Sequence, residues 1–479
     1  MSGPMTPDDF RRHGHALVDW IADYLAHPER FPVLARVTPG AITAALPTEA
    51  PEAGEPFERV LADFERILVP GLTHWNHPGF MAYFAITASA PGILAELLAA
   101  ALNQQAMLWR TSPAATELES VTLGWLRQLL GLPEAFDGVI YDTASISTLH
   151  ALACARERTV PGVRADGLTG RNLPRLRVYA SAQAHSSVDK AVILLGLGHT
   201  GLCHVATDEA FRMRPDALRE AIAWDRAAGV QPLAVVATLG TTATTSVDPV
   251  GAIADLCAAE GLWLHVDAAY AGAAALLPAA RPQFAGWERA DSVVVNPHKW
   301  LFTPFDLSAF YCRHPEVLRA AFSLVPDYLR TAEAEQGRNL MDTGIQLGRR
   351  FRALKLWAVL RHYGADGLRD LLAQHIALAQ TFAGWVDADP AWERLAPAPF
   401  SVVCFRARPA GVADEALDAF NERLVAAVNA TGEVFLSHTR LDGRVAIRLA
   451  IGHEGTTEVH VARAWALLRE QARMAPAAG

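Results

Sequence analysis

Lys299 stands directly behind three valines in DSVVVNPHKWLFTPFD, residues 291–306. It is one of three lysines, with Lys190 and Lys355, among 42 basic residues, so arginine carries nearly all the positive charge. Base composition accounts for that bias, but not for where Lys299 sits. Arginine stays protonated in a protein, whereas a lysine amine can lose its proton and attack a carbonyl. Desolvation behind an apolar strand favours the neutral amine. Asp267 lies 32 residues earlier, at the end of LWLHVD, and is followed by the small residues Ala268 and Ala269. His185 comes shortly after LRVYAS, Thr242 after LAVVATLG, and Thr143-Ala144-Ser145 after GVIYD, while Asn296 and His298 flank the lysine. Taken singly each is ordinary. A strand-end Asp often caps a helix, a Thr-Ala-Ser triplet often opens one, and a loop His often faces solvent.

What makes the set informative is the scaffold that must hold it. From residue 138 onward, the short runs GVIYD, LRVYAS, LAVVATLG, LWLHVD, SVVVN and LSAFYC alternate with helical segments. That rhythm predicts an α/β domain with a mostly parallel sheet. Ligands of such sheets bind beyond the carboxyl ends of the strands. A hydroxyl-bearing turn, a histidine, an aspartate and a lysine therefore gather at one edge, and together they suit pyridoxal phosphate. Lys299 would form a Schiff base with its aldehyde, Asp267 would keep the pyridine nitrogen protonated, and His185 would stack on the ring. Ala144 and Ser145 at a helix start, with Asn296 and His298, would offer donors to the phosphate.

Around this core, residues 7–26 and 55–68 read as amphipathic helices, followed by the aromatic, loop-like GLTHWNHPGFMAYFAITASAPG and by helical periodicity through about 91–130. From about 366, the strands FSVVCFRAR, EVFLSHT and RVAIRLAIG interleave with helices at 411–428 and 456–472. The expected organisation is an N-terminal helical segment (1–90), a large α/β domain (91–365) and a small α+β domain (366–479). GLGHTG at 196–201 matches a dinucleotide fingerprint, but a helical run precedes it and the strand-like LCHVAT follows, so helix capping and a turn explain it. The 479 residues are 51% apolar, enough for more than one domain, and a net charge of −9 argues against nucleic acid or an anionic membrane. No apolar run reaches bilayer length, and the N-terminus reads as a capped helix rather than a signal peptide. Five scattered cysteines without a CxxC pair, and the lack of HExxH, predict reduced thiols in a cytoplasmic protein with no zinc site.

VNPHKWL, HVDAAYAG, AHSSVDKA and TLGTT resemble the pyridoxal-phosphate amino-acid decarboxylases of the aromatic L-amino-acid decarboxylase family. The resemblance spans nearly the whole chain, from FRRHGHALVDWIADYL through PGLTHWNHPGFMAYF and SPAATELE to LGRRFRALKLW and RAWALL. It implies a fold type I enzyme with a seven-stranded sheet flanked by helices. It also implies a homodimer whose active sites lie at the interface, with residues 1–90 packed on the partner. The implied reaction converts an aromatic L-amino acid (tryptophan, phenylalanine, tyrosine or dopa) to its amine and CO2. By the same resemblance Lys299, Asp267 and His185 take the roles above, Ala269 lies under the ring, Thr242 near it, and Ala144, Ser145, Asn296 and His298 hold the phosphate. SLVPDYLRT matches the family's mobile catalytic loop and makes Tyr328 the proton donor.

Trp75, Tyr83 and Phe84 resemble the family's ring-binding wall. The chain departs from the common pattern at Ala85-Ile86, where Pro-Thr or Pro-Ser is usual, and at Met107, where a bulky aromatic is usual. Losing a hydroxyl at Ile86 favours tryptophan or phenylalanine-like side chains over a catechol, and Gly348 leaves room for a large ring. Arg448, alone in an apolar strand, suits either a substrate carboxylate or a structural ion pair; Arg349 and Arg350 carry no assigned role. The rival readings are an aromatic aldehyde synthase or an aminotransferase on the same scaffold, and a pyridoxal-phosphate-binding protein without turnover. Tyr328 separates the first from a decarboxylase, because aldehyde-forming relatives tend to lack it.

Overall fold

The runs rich in β-branched residues form strands within two residues of their expected bounds, and LCHVAT adds a seventh. The computed structural model describes residues 4–324 and 337–474. After β1 (Phe80–Met81) come β2 (Asp137–Tyr141), β3 (Leu176–Ser181), β4 (Leu202–Val205) and β5 (Gln231–Thr238). β6 (Trp263–Asp267), β7 (Ser292–Val295) and β8 (Ser308–Cys312) complete the large sheet, in the order β2-β8-β7-β6-β5-β3-β4. β3 pairs in parallel with β4 and β5, β5 with β6, and β6 with β7; β8 is antiparallel to both β2 and β7. Every strand of this sheet but β8 therefore points the same way. The carboxyl ends of β2, β3, β5, β6 and β7 share one edge.

The sheet is an α/β core because both its faces are covered. β6, β7 and β8 are buried along their whole length. The helix Ala144–Thr159 buries Ala151, Leu152, Cys154 and Ala155 in a cluster with Val178, Val236 and Phe310. Burying the larger of these side chains, Leu152, Val178, Val236 and Phe310, stabilises the fold by roughly 1.5–3 kcal/mol each. The GLGHTG segment follows the helix Ser187–Leu194 and leads into β4, so it has no nucleotide-binding strand before it.

The chain divides into two compact units. Of the described residues, one unit holds 86–324, 337–388 and 394–405; the other holds 4–85, 389–393 and 406–474. The sequence puts a change of domain at about 366, whereas residues 366–388 lie in the α/β unit, on a helix running Ala353–Ala388 with a non-helical break at Gly364. Periodicity through 91–130 resolves into two helices, Ala90–Leu102 and Pro113–Leu130. The first ends at Asn103, whose φ of 45° is left-handed, a conformation asparagine tolerates better than most residues. In the other unit, Thr6 caps the helix Pro7–Ala26 by accepting the Asp9 N–H at 3.1 Å. There β1 pairs in parallel with Phe435–Leu441, which is antiparallel to Arg444–Ala450, and the helices Leu417–Ala430 and Glu458–Met474 follow the expected order.

Gly286 shows how tightly the α/β unit is closed. Its φ is 98°, and a Cβ there would lie 2.5 Å from the Gly251 nitrogen and 2.6 Å from its Cα. Both obstacles are backbone, which cannot swing aside as a side chain can. Gly286→Ala is expected to destabilise the protein by at least about 1–3 kcal/mol, the usual cost of strained backbone, seen as a lower thermal midpoint. An unchanged midpoint would show that this turn relaxes freely.

Candidate functional site

Lys299 sits in a short helical turn, Pro297–Trp300, that begins two residues after β7 ends. Its neighbours are immobilised. Trp300 is fully buried, its ring stacks on Tyr270 at 4.7 Å between centroids, and its indole N–H donates to Nδ1 of His375 at 3.0 Å. The Tyr270 hydroxyl in turn meets that of Ser401. The Lys299 backbone N–H donates to the Asn296 carbonyl at 2.9 Å, and the Asn296 N–H donates to the Ala269 carbonyl at 3.0 Å. The turn carrying the lysine is thus tied to the turn after β6. That second turn is set by Asp267, whose carboxylate accepts the Ala269 N–H at 3.0 Å.

These ties bring two opposite charges together. Desolvation lowers the Lys299 pKa, and the negative charge of Asp267 works against that shift. Asp267 is buried, while Lys299 keeps some accessibility, as an amine that must meet a ligand requires. Lys355 also has its pKa lowered by desolvation, but it lies inside the Ala353–Ala388 helix and pairs with Glu96 at 3.2 Å. Its burial is structural. What distinguishes Lys299 is its place at a strand's carboxyl end.

His185 completes the set. Burial lowers its pKa; Asp267 partly offsets this, and Lys299 adds to it, so all three groups share one electrostatic field. Its Nδ1 accepts the Ser187 backbone N–H at 3.1 Å and lies 2.9 Å from the Ser187 hydroxyl. This leaves Nε2 to carry the proton of the neutral ring. The residue is exposed to solvent. Ser187 supports the histidine without being one of the predicted site residues. A serine two positions after a histidine, where a helix begins, is the signal the sequence offers for it.

The remaining predicted anchors lie along the same strand ends. Ala144 and Ser145 are the first residues of the helix after β2, which has no side-chain cap. Thr242 is exposed beyond β5. His298 accepts the Leu307 N–H at its Nδ1 at 2.9 Å, and burial pushes its pKa down to about 3, so the ring is neutral and its other nitrogen carries the proton. Among the described residues, two of the buried oxygens without a hydrogen-bond partner lie at these strand ends: Asn296 Oδ1 just after β7, and Thr238 Oγ1 at the end of β5. Thr238 is in register with Asp267. Buried polar groups are seldom left unpaired. Turning the Asn296 amide over would present N–H donors at that spot, which a phosphate oxygen would accept. An amine, a carboxylate, an exposed histidine, small Ala269 and unused polar atoms on adjoining strand ends fit pyridoxal phosphate.

Other predicted residues are placed differently. Met107 packs beside Leu108 and Met341, its carbonyl accepting the Met341 N–H at 3.1 Å. Ile86 is partly buried and Gly348 exposed, with a Cβ at Gly348 reaching 3.3 Å from Gln105 Nε2. Gly348 lines a cavity of about 600 Å³ together with Gln105, Gln346 and Arg352. Trp75, Tyr83 and Phe84 belong to the other unit, where Trp75 stacks on Phe80 at 4.3 Å and on Tyr83 at 5.9 Å. Arg448 is buried there. It donates to Ser437 Oγ at 3.0 Å and to the Tyr83 carbonyl at 3.3 Å, and its guanidinium lies 5.4 Å from the Phe84 ring. These contacts hold the Tyr83–Phe84 backbone. Arg349 also has structural work: buried with Glu119 at 2.8 Å, it donates to the Ile140 carbonyl at 2.6 Å and so clamps β2. Tyr328 lies outside the described residues.

Residues 39–408 match the family model described as "Pyridoxal-dependent decarboxylase conserved domain". The chain is 41% identical over 481 residues to a phenylacetaldehyde synthase of Arabidopsis thaliana, covering 98% of this chain and 97% of that protein. It is 39% identical over 480 residues to a tryptophan decarboxylase of Camptotheca acuminata, covering 98% and 95% respectively. Among solved structures, that of Oryza sativa TDC with PLP and tryptamine superposes with a TM-score of 0.95 at 37% identity, over 99% of both chains.

Thr238 offers a direct test of the unpartnered oxygens. A buried hydroxyl without a partner costs about 1–3 kcal/mol, so Thr238→Val should leave the cofactor-free protein as stable as the parent or more so. Thermal melting of the apoprotein checks this. A clear drop in its midpoint would show that the hydroxyl is bonded within the folded chain.

Proposed function

The chain belongs to the pyridoxal-dependent decarboxylases, and from that premise we propose that it removes the α-carboxylate of an aromatic L-amino acid, releasing the amine and CO2. One observation carries the reading furthest: the desolvated amine of Lys299 shares its field with Asp267 and His185 at one sheet edge. Pyridoxal phosphate, when bound, supplies a conjugated ring that accepts the electron pair left by departing CO2. Lys299 would hold the cofactor through its amine, and Asp267 would keep the ring nitrogen protonated. His185, Ala269 and Thr242 would line the ring. Ala144, Ser145, Asn296 and His298 would hold the phosphate, the first two through helix N–H groups and a hydroxyl.

Ile86, Met107 and Gly348 would receive the substrate side chain, with tryptophan or phenylalanine-like rings favoured over catechols by the apolar Ile86. Tyr328, assisted by His185, would deliver a proton to the α-carbon. The Lys299 amine would serve again when product leaves.

The working form is a homodimer. Leu94, Leu97, Leu98 and Leu102 are each more than half exposed on the helix Ala90–Leu102, an apolar stripe that a second subunit would cover. Residues 1–90 pack on that partner as well. No helix among the described residues is long and apolar enough to cross a membrane, and all five cysteines are unpaired, which supports a reducing cytoplasmic setting. The competing outcome is aldehyde formation, because a phenylacetaldehyde synthase shares 41% identity with this chain. The presence of a tyrosine at 328 favours the amine.

Three experiments test this reading. Lys299→Ala should abolish turnover, and borohydride reduction followed by peptide mapping should label Lys299 in the parent and nothing in the variant. A parent left unlabelled at Lys299 would remove the lysine from its role. Incubation with tryptophan, phenylalanine, tyrosine and dopa should yield CO2 and amine in equal amounts; aldehyde, ammonia and peroxide instead would identify an aldehyde synthase. Tyr328→Phe should lower amine formation by about 10²–10⁴-fold, the usual worth of a positioned proton donor, while leaving the cofactor's absorbance intact. Amine release at the parent rate would exclude Tyr328.

A further inference from the structure

Three ligand atoms converge on the surface of the α/β unit, in and around the GLGHTG segment. Asp189 lies in the first turn of the helix Ser187–Leu194, His199 opens the short turn His199–Gly201, and His204 lies on the edge strand β4. One Asp189 carboxylate oxygen is 3.5 Å from Nε2 of His199 and 3.5 Å from Nε2 of His204. All three ligand atoms lie within 4.8 Å of one another, and among the described residues no other such group of three occurs. The turn that presents His199 is well determined. Gly198 holds a positive φ of 72°, and Thr200 accepts hydrogen bonds from Arg175, at 2.8 Å to its hydroxyl, and from Arg177 at its carbonyl.

We propose that Asp189, His199 and His204 form a binding site for a zinc-class divalent ion, with water in the fourth position. The carboxylate-to-imidazole separations favour the class. A tetrahedral ion with bonds of about 2.05 Å separates its ligands by about 3.3 Å, close to the 3.5 Å from the Asp189 oxygen to each imidazole nitrogen. The right-angled face of an octahedral site with bonds of that length would bring them to about 2.9 Å. At 3.5 Å the contacts from Asp189 are too long for strong hydrogen bonds, and they are ion pairs only when the imidazoles are protonated. Two imidazoles and one carboxylate make the donor set that zinc accepts and that calcium or magnesium, which take oxygen ligands, does not. The ion would clip the edge strand β4 to the helix that begins at Ser187. The expectation of no zinc site rested on cysteine spacing and HExxH, and neither pattern covers ligands ten and five residues apart drawn from a helix, a turn and a strand.

The test uses untagged, chelator-treated holoenzyme dialysed against zinc. The parent should retain one more zinc per chain than the His199→Ala/His204→Ala variant, and Asp189→Asn should bind that zinc at least about tenfold more weakly. Cobalt(II) should give the intense visible bands of a tetrahedral site in the parent alone. The double variant, which leaves the catalytic groups untouched, should keep its basal turnover, which separates this result from the reading of the active site. Equal zinc content in parent and double variant, or an octahedral cobalt spectrum in the parent, would overturn the proposal.

Discussion

Everything at the site depends on one electrostatic balance: withdrawal from water lowers the Lys299 pKa, while the negative charge of buried Asp267 works against that shift. A lysine left in water would stay protonated and could not attack an aldehyde. A lysine pressed directly against an unshielded carboxylate would be locked as a cation. The fold ties the turns that carry the two groups to each other, Asn296 N–H to the Ala269 carbonyl and Ala269 N–H to the Asp267 carboxylate. The relative placement of the two turns is therefore set by the backbone.

That arrangement is possible because β5, β6 and β7 run parallel and adjacent. Parallel pairing forces each connection back through a crossover, so each carboxyl end is followed by a turn with its own chemistry. Neighbouring strands stand only about 4.8 Å apart, close enough for groups on successive strand ends to meet one small ligand. The register matters as much as the order. Thr238 faces Asp267 across the β5–β6 pair, and Asn296 follows β7 by one residue, so the two unpartnered oxygens flank the carboxylate strand. A shift of one residue in either pairing would turn these groups to the opposite face of the sheet.

The same edge supports more than one outcome among relatives, since chains of about 40% identity include both a phenylacetaldehyde synthase and a tryptophan decarboxylase.

Much of this was legible in the chain. The β-branched runs placed six strands within two residues, because strand length and burial are written in local composition. The lone lysine behind three valines and the aspartate before two alanines pointed to the cofactor, because that chemistry admits few residue types. Local pattern could not reveal what depends on distant packing. Periodicity did not show the break at Asn103, since apolar spacing continues across it. Arg349 looked idle until Glu119 and the Ile140 carbonyl enclosed it, and the contacts of Arg448 with Ser437 and the Tyr83 carbonyl come from segments far apart in sequence. Asp189, His199 and His204 converge only because β4 lies at the sheet edge beside their helix. Residue type and order determined which chemistry the chain can carry. Hydrogen bonds and burial between segments far apart in sequence decided which charges meet, and at what distance.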